Sequence, residues 1–178
     1  MEKNGKKKEN VLLIGFMGAG KTTVGKKLSY KLRVPVEDTD KLIERRAGKT
    51  ITEIFASEGE EAFRQMETEE LVEISKRKYR RIFSVGGGTP VREQNRALLK
   101  KCGKVVYLRV KPETVWERVK EDTTRPLLQC EDPLAKIRDL MEARKEAYES
   151  CADLIVDVDE MSAEECAEKL ALWLEEKT

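Results

Sequence analysis

The sequence predicts one α/β domain built on a parallel sheet. Short apolar runs alternate with helix-spaced patterns from end to end, and that alternation implies right-handed crossovers between parallel strands. The first apolar run passes directly into a glycine-rich segment that opens a helix. The chain has 178 residues, 39% of them hydrophobic, enough for a single core.

Residues 11–14, Val-Leu-Leu-Ile, suit a strand buried on both faces. A helical pattern follows to about residue 32, and residues 34–36 lead into a second strand ending at Asp38. Helical patterns then occupy 40–47, 50–57 and 59–77. Residues 82–85, 105–108 and 154–156 are the third, fourth and fifth strands. Between these lie further helices. Pro112 suits the first turn of one, and Asp132-Pro133 reads as the cap and first residue of another. Ser162-Ala-Glu-Glu165 is a capping box. After it Ala163, Cys166, Ala167, Leu170, Ala171 and Leu174 form one core-facing stripe. Residues 121–131 lack periodicity and read as a mobile loop. No internal repeat is visible.

Charged residues make up another 39%, but 35 Lys and Arg nearly cancel 34 Asp and Glu. A formal charge of +1 argues against a nucleic-acid partner, which asks for a basic excess. The chain has no His, which excludes His-based metal sites, triads and general bases. Cys102, Cys130, Cys151 and Cys166 are far apart and form no CxxC pair. Free thiols in a reducing cytosol are expected. The longest uncharged stretch, residues 10–20, has eleven residues, against about 20 for a membrane span. Residues 1–9 read as a short, flexible basic tail without the apolar segment of a signal peptide.

Gly15-Phe-Met-Gly-Ala-Gly-Lys21-Thr22 fits the spacing GxxxxGK[ST], between a strand and a helix. Its backbone N–H groups can cradle phosphates, and the helix N-terminus adds a positive field. Lys21 can reach the β- and γ-phosphates, and Thr22 can ligate Mg²⁺. GTPase switches share this loop but carry DxxG and NKxD, which are missing from this sequence. The short chain favours a kinase of a small molecule, using ATP.

Asp38-Thr-Asp40 closes the second strand, at the edge where open α/β sheets bind ligands. Residues two apart on a strand point the same way, so both carboxylates can face the γ-phosphate. One can hold the metal's shell and the other accept a hydrogen bond from the attacking hydroxyl. A turn residue and a helix cap are the structural alternatives. Gly86-Gly87-Gly88 follows the third strand and permits a ligand to approach the backbone. Arg64 and Glu67 lie one helical turn apart and can pair. Arg144 falls on the apolar stripe of Leu134, Ile137, Met141 and Tyr148. An Arg there needs an anion, either an internal carboxylate or a carboxylate substrate. Arg125 lies in the aperiodic segment, where a closing loop can neutralise charge over the phosphates. The run 76–81, Lys-Arg-Lys-Tyr-Arg-Arg, reads as a solvated helix end.

Taken together, these residues resemble the shikimate kinase family. The motifs are GFMGAGKTTVGKKL, DTDKLIE, ITEIFASEGEEAFRQMETE, GGGTP, TTRPLL and MEARKEAY. Their ordered combination, over residues 10–176, is specific where the phosphate loop alone is not. The resemblance implies a three-layer P-loop NTPase fold of the nucleoside-monophosphate-kinase type, with a five-stranded parallel sheet of order 2-3-1-4-5. It implies Mg²⁺-dependent transfer from ATP to the 3-hydroxyl of shikimate, on the route to chorismate and the aromatic amino acids. Gly18, Ala19, Gly20, Lys21, Thr22 and Thr23 would wrap the phosphates, and Asp38 would hold the metal through water. Asp40 would bind the substrate hydroxyls and act as base. Arg64 and Arg144 would clamp the carboxylate, and Gly86, Gly87 and Gly88 would line the pocket. Arg125 would come from a lid over about 121–132, and Arg118 and Pro126 would flank the adenine. Phe55 and Phe63 would pack a substrate-binding subdomain over about 38–67. A cytoplasmic monomer with no nucleic-acid or membrane partner is expected.

One departure stands out. Some family members place an Arg near the adenine after the fifth strand, where this chain has Asp157-Val-Asp-Glu160-Met. Backbone groups would replace it there. Three competing readings remain. A gluconate-type polyol acid kinase would share much of the binding chemistry, though the three glycines with Arg64 and Arg144 speak against it. A nucleoside monophosphate kinase would need a base pocket, for which no residue pattern stands out. A non-catalytic nucleotide sensor would have little use for Lys21, Asp38, Asp40 and Arg125 together.

Overall fold

The computed structural model describes residues 9–125 and 129–177. Five strands run in chain order as β1 (Asn10–Ile14), β2 (Val36–Asp38), β3 (Ile82–Ser84), β4 (Gly103–Arg109) and β5 (Leu154–Asp157). They pair in parallel in the order β2-β3-β1-β4-β5, the order that the resemblance implies. Every residue of β1 is buried, because it is the central strand and both faces are covered.

The helices are α1 (Lys21–Leu32), α2 (Thr39–Ala47), α3 (Ile51–Glu58), α4 (Glu60–Ser75), α5 (Glu93–Cys102), α6 (Pro112–Val119), α7 (Pro133–Cys151) and α8 (Ala163–Glu176). α1 packs on α8, and α5 packs on both α4 and α7. The capping box at Ser162 forms as expected, with Glu165 N–H donating to Ser162 Oγ at 3.1 Å. A second one opens α3 at Thr50. α4 ends at Ser75, so the basic run from 76 lies past the helix rather than within it. β2 begins only at Val36, after Pro35, which has no N–H to give a ladder. α5 has no signature of its own in the sequence, since only Asn95, Leu99 and Cys102 are buried along it.

Two apolar clusters form among the described residues. The large one fills both faces of the sheet. The small one consists of Ile43, Ile54 and Phe63, from α2, α3 and α4. No helix among the described residues is long and apolar enough to cross a membrane.

Candidate active site

The phosphate loop leaves the buried end of β1. Gly18 and Gly20 adopt φ of 74° and 90°, backbone that side chains disfavour. Lys21 opens α1, and its Nζ donates to the loop's own carbonyls, Gly15 at 2.7 Å and Phe16 at 3.1 Å. Burial pushes the ammonium down to about 8, against the pull of Asp40 and Asp38. Arg125 and Arg144 add to the depression, which places four charged candidates around one cation. Ala19 is buried, while Thr22 and Thr23 are exposed. Thr22 Oγ1 lies 3.5 Å from Ser84 Oγ, at the end of β3.

Asp38 and Asp40 converge, though not as members of one strand face. Asp38 is the last residue of β2 and caps α2, accepting from the N–H groups of Asp40 at 2.9 Å and Lys41 at 3.2 Å. Asp40 already belongs to the first turn of that helix. Its Oδ1 is buried and has no hydrogen-bond partner among the described residues. Burial, then Asp38 and Glu67, push its carboxyl up to about 6, with Lys21 opposing. Such a carboxylate is poised to take a proton near neutral pH.

The three glycines each face a different candidate. A Cβ on Gly86 would sit 2.6 Å from Asp40 Oδ1, and one on Gly87 3.7 Å from Arg144 Nη1. One on Gly88 would sit 2.8 Å from Arg64 Cζ. The 86–88 turn is held by Gly86 N–H donating to Thr39 Oγ1 at 3.0 Å and by Tyr148 Oη donating to Gly87 O at 2.7 Å.

The two arginines differ. Arg64 Nη1 pairs with Glu67 Oε2 at 2.8 Å and Nη2 with Glu60 Oε1 at 3.3 Å. Glu67 is buried, and its other oxygen accepts from Thr89 Oγ1 at 2.7 Å. Arg144 has no ion-pair partner among the described residues and lies over the Phe16 ring, 5.6 Å from its centroid. The internal salt bridge that would have explained it is therefore not what the fold provides. Phe55 lies 5.0 Å from Phe63, ring to ring, and remains 38% exposed.

On the nucleotide side, Arg118 donates from Nη1 to Gly18 O at 2.8 Å and from Nη2 to Val158 O at 3.3 Å. It thus joins the phosphate loop to the segment after β5. That segment is fixed by Arg109 on Asp157, at 2.6 and 2.9 Å, and by Lys111 N–H donating to Asp159 at 2.8 Å. Arg125 Nε pairs with Asp122 at 2.8 Å. Pro126 lies outside the described residues.

The sequence reading did not single out Thr39, Ser84 and Thr89; it took Tyr148 only as a member of an apolar stripe and Glu67 only as a pairing partner. Glu67 was findable: with Phe63, Glu70 and Ile74 it lies on the inward stripe of α4, by the logic that picks out Arg144. The hydroxyl residues carry no such signal, since Thr and Ser cap and turn almost anywhere. No group of three or more acidic or thiol side chains among the described residues forms a metal cage. Mg²⁺ suits so sparse a donor set, because it keeps waters and takes ligands from phosphates.

Comparison with known proteins gives a consistent result. The profile of the family described as shikimate kinase matches residues 17–175. A shikimate kinase from Thermodesulfovibrio yellowstonii is 42% identical over 162 residues, 91% of this chain and 92% of the relative. A solved shikimate kinase from Acinetobacter baumannii, in complex with shikimate, superposes with a TM-score of 0.87 at 39% identity, covering 96% of this chain and 94% of that one. A gluconokinase from Sinorhizobium meliloti superposes with a TM-score of 0.59 at 17% identity, covering 97% and 94% of the two chains, a likeness of fold alone.

Proposed function

The chain belongs to the shikimate kinase family, and from that premise we propose how its own residues carry the reaction. The enzyme transfers a phosphoryl group from ATP to shikimate. The gluconate kinase and nucleotide sensor readings are not favoured. The observation that carries the assignment of residues is the turn of Gly86, Gly87 and Gly88, whose three absent side chains leave room beside Asp40, Arg144 and Arg64. A hydroxyl, a carboxylate and a second hold on that carboxylate fit these three groups.

On this reading Gly18 to Thr23 wrap the phosphates with backbone N–H groups, and Lys21 exchanges its two loop carbonyls for phosphate oxygens. Arg64 and Arg144 hold the carboxylate of shikimate. Asp40 binds the ring hydroxyls and takes the proton of the 3-hydroxyl as its oxygen attacks the γ-phosphorus; the bond to the β-phosphate oxygen breaks, giving shikimate 3-phosphate and ADP. Arg125 neutralises charge on the transferring group from a lid over about 121–132. Arg118 and Pro126 flank the adenine. Thr22, with Asp38 through water, would hold Mg²⁺, whose chemistry is to neutralise phosphate charge.

The small cluster of Ile43, Ile54 and Phe63 supports a substrate-binding subdomain over about 38–67, within a kinase domain of residues 10–178 that follows a basic tail. The product feeds the route to chorismate and the aromatic amino acids. We further propose a cytoplasmic monomer without nucleic-acid or membrane partners; the formal charge of +1 supports the first of those two exclusions, and the four free cysteines support a reducing compartment. A coupled ADP-release assay across shikimate, quinate, gluconate and AMP tests the acceptor. Turnover is expected with shikimate far above the rest, and a preference for gluconate or AMP would overturn the assignment.

A further inference from the structure

The buried face of α4 changes character along its length. Phe63 belongs to the small apolar cluster, and Leu71 and Ile74 belong to the large one. Between them the same face presents two carboxylates, Glu67 and Glu70. Glu67 faces the glycine turn and Arg64. Glu70 is used by no step of the reaction, yet it is 1% exposed, and neither of its oxygens has a hydrogen bond among the described residues. Its charge is met by ion-pair contact alone, from Arg46 Nη2 at 2.8 Å and Arg77 Nη2 at 3.6 Å. Arg77 is itself held by Glu37 of β2, which also faces Arg81 at 3.6 Å.

A buried carboxylate that loses its cation is strongly destabilised, so Arg46 is kept in place although its side chain is 49% exposed. Arg46 lies in the last turn of α2. That helix carries Asp40 in its first turn, and it is held against α4 by Ile43 and Ala47 at the small cluster and, among the described ion pairs, by this one. A tilt of α2 about its apolar contact would move Asp40 relative to Arg64. We propose that Glu70 is a positioning residue for the acceptor: through Arg46 it fixes α2, and with it Asp40, at one setting against the α4 face that carries Arg64.

This rests on the assignment of Asp40 and Arg64 to the acceptor, which has its own tests in those two residues and in wild-type turnover of shikimate. The tether is tested separately, by initial rates of Arg46→Ala, Arg46→Lys, Glu70→Gln and the double variant Arg46→Ala/Glu70→Gln. Arg46→Ala and Glu70→Gln should each raise the shikimate KM about 3- to 30-fold, the scale of a small misplacement of a reacting group, and leave the ATP KM within about twofold. The double variant should be no worse than either single one, because both remove the same contact. Arg46→Lys should recover most of the loss by keeping a cation in reach. Should Glu70→Gln fail to fold, the two changes at the exposed Arg46 arm still decide the matter. An unchanged shikimate KM in Arg46→Ala, a parallel rise of both KM values, or additive effects in the double variant would overturn the tether.

Discussion

The donor half and the acceptor half of the site are built by different means. The phosphate loop is a backbone device at the end of the central strand, every residue of which is buried. The acceptor side, on the assignment proposed above, is a side-chain device on a three-residue apolar cluster, held by Arg64–Glu67 and Arg46–Glu70. A backbone cradle tolerates changes of side chain but not of path. A constellation of charges is tuned by single groups, so acceptor-side substitutions should act sharply and leave ATP binding alone.

The strongest way to break that contrast is Asp40→Asn. It should lower kcat by about 10²–10⁴, the size of a lost acid–base group, with ATP affinity nearly unchanged. The same change should stabilise the protein. Asp40 titrates near 6 in the fold against an ordinary 3.8. A folded value above the unfolded one means that its stabilising effect is complete below about pH 4 and lost as pH rises through 6. Above that the buried charge costs up to about 3 kcal/mol. Thermal melts of Asp40→Asn should therefore exceed wild type at pH 7.5 and coincide with it near pH 4. A normal kcat would remove Asp40 as the base.

Next in size is the carboxylate clamp. Truncating either arginine removes about 2–5 kcal/mol of charge-assisted contact, so the shikimate KM should rise about 30- to 4000-fold at 1.4 kcal/mol per decade. Stability should separate the pair. Arg64→Ala orphans the buried Glu67 carboxylate and should lower Tm, whereas Arg144→Ala orphans no ion-pair partner among the described residues. Shikimate methyl ester sharpens the test, since wild type should reject it and Arg144→Ala should discriminate much less. Equal acid-to-ester preference in the two proteins would make Arg144 structural.

Gly86→Ala probes the contact surface itself. Its Cβ would stand 2.6 Å from Asp40 Oδ1, too close for any real carbon. A loss of kcat/KM for shikimate of about 10²-fold is expected, the cost of displacing a reacting group by roughly 1 Å. Equilibrium binding of ATP should stay near wild type. Weakened ATP binding would show that the two halves are not separable. The mildest effect is on pH dependence. kcat/KM for shikimate should fall on the acid side with an apparent pKa near 6, following Asp40 in the free enzyme. A flat profile between pH 5 and 7 would detach the acid limb from that carboxylate.

The same contrast explains what was legible in the sequence. The phosphate loop is read from spacing because a fixed backbone path needs glycine and lysine at fixed intervals. Arg144 stands out because a charge interrupts an apolar stripe. Asp38 and Asp40 lie close together, though not by strand alternation as the sequence suggested: the strand ends at Asp38 and the helix turn brings Asp40 round. The strand order followed from the resemblance, since local periodicity does not fix which strands are neighbours. Thr39 and Thr89 were invisible, and Tyr148 was read only as a member of an apolar stripe, because their partners, Gly86 N–H, Glu67 and Gly87 O, lie 22 to 61 positions away in the chain.

The glycine turn also has a pharmacological consequence. An inhibitor that competes for the acceptor and rests on residues 86–88 would touch main chain, not side chain. Any amino acid that replaces a glycine brings a Cβ, and at Gly86 and Gly88 that atom collides with Asp40 or Arg64. Escape through those two positions should therefore weaken the enzyme itself.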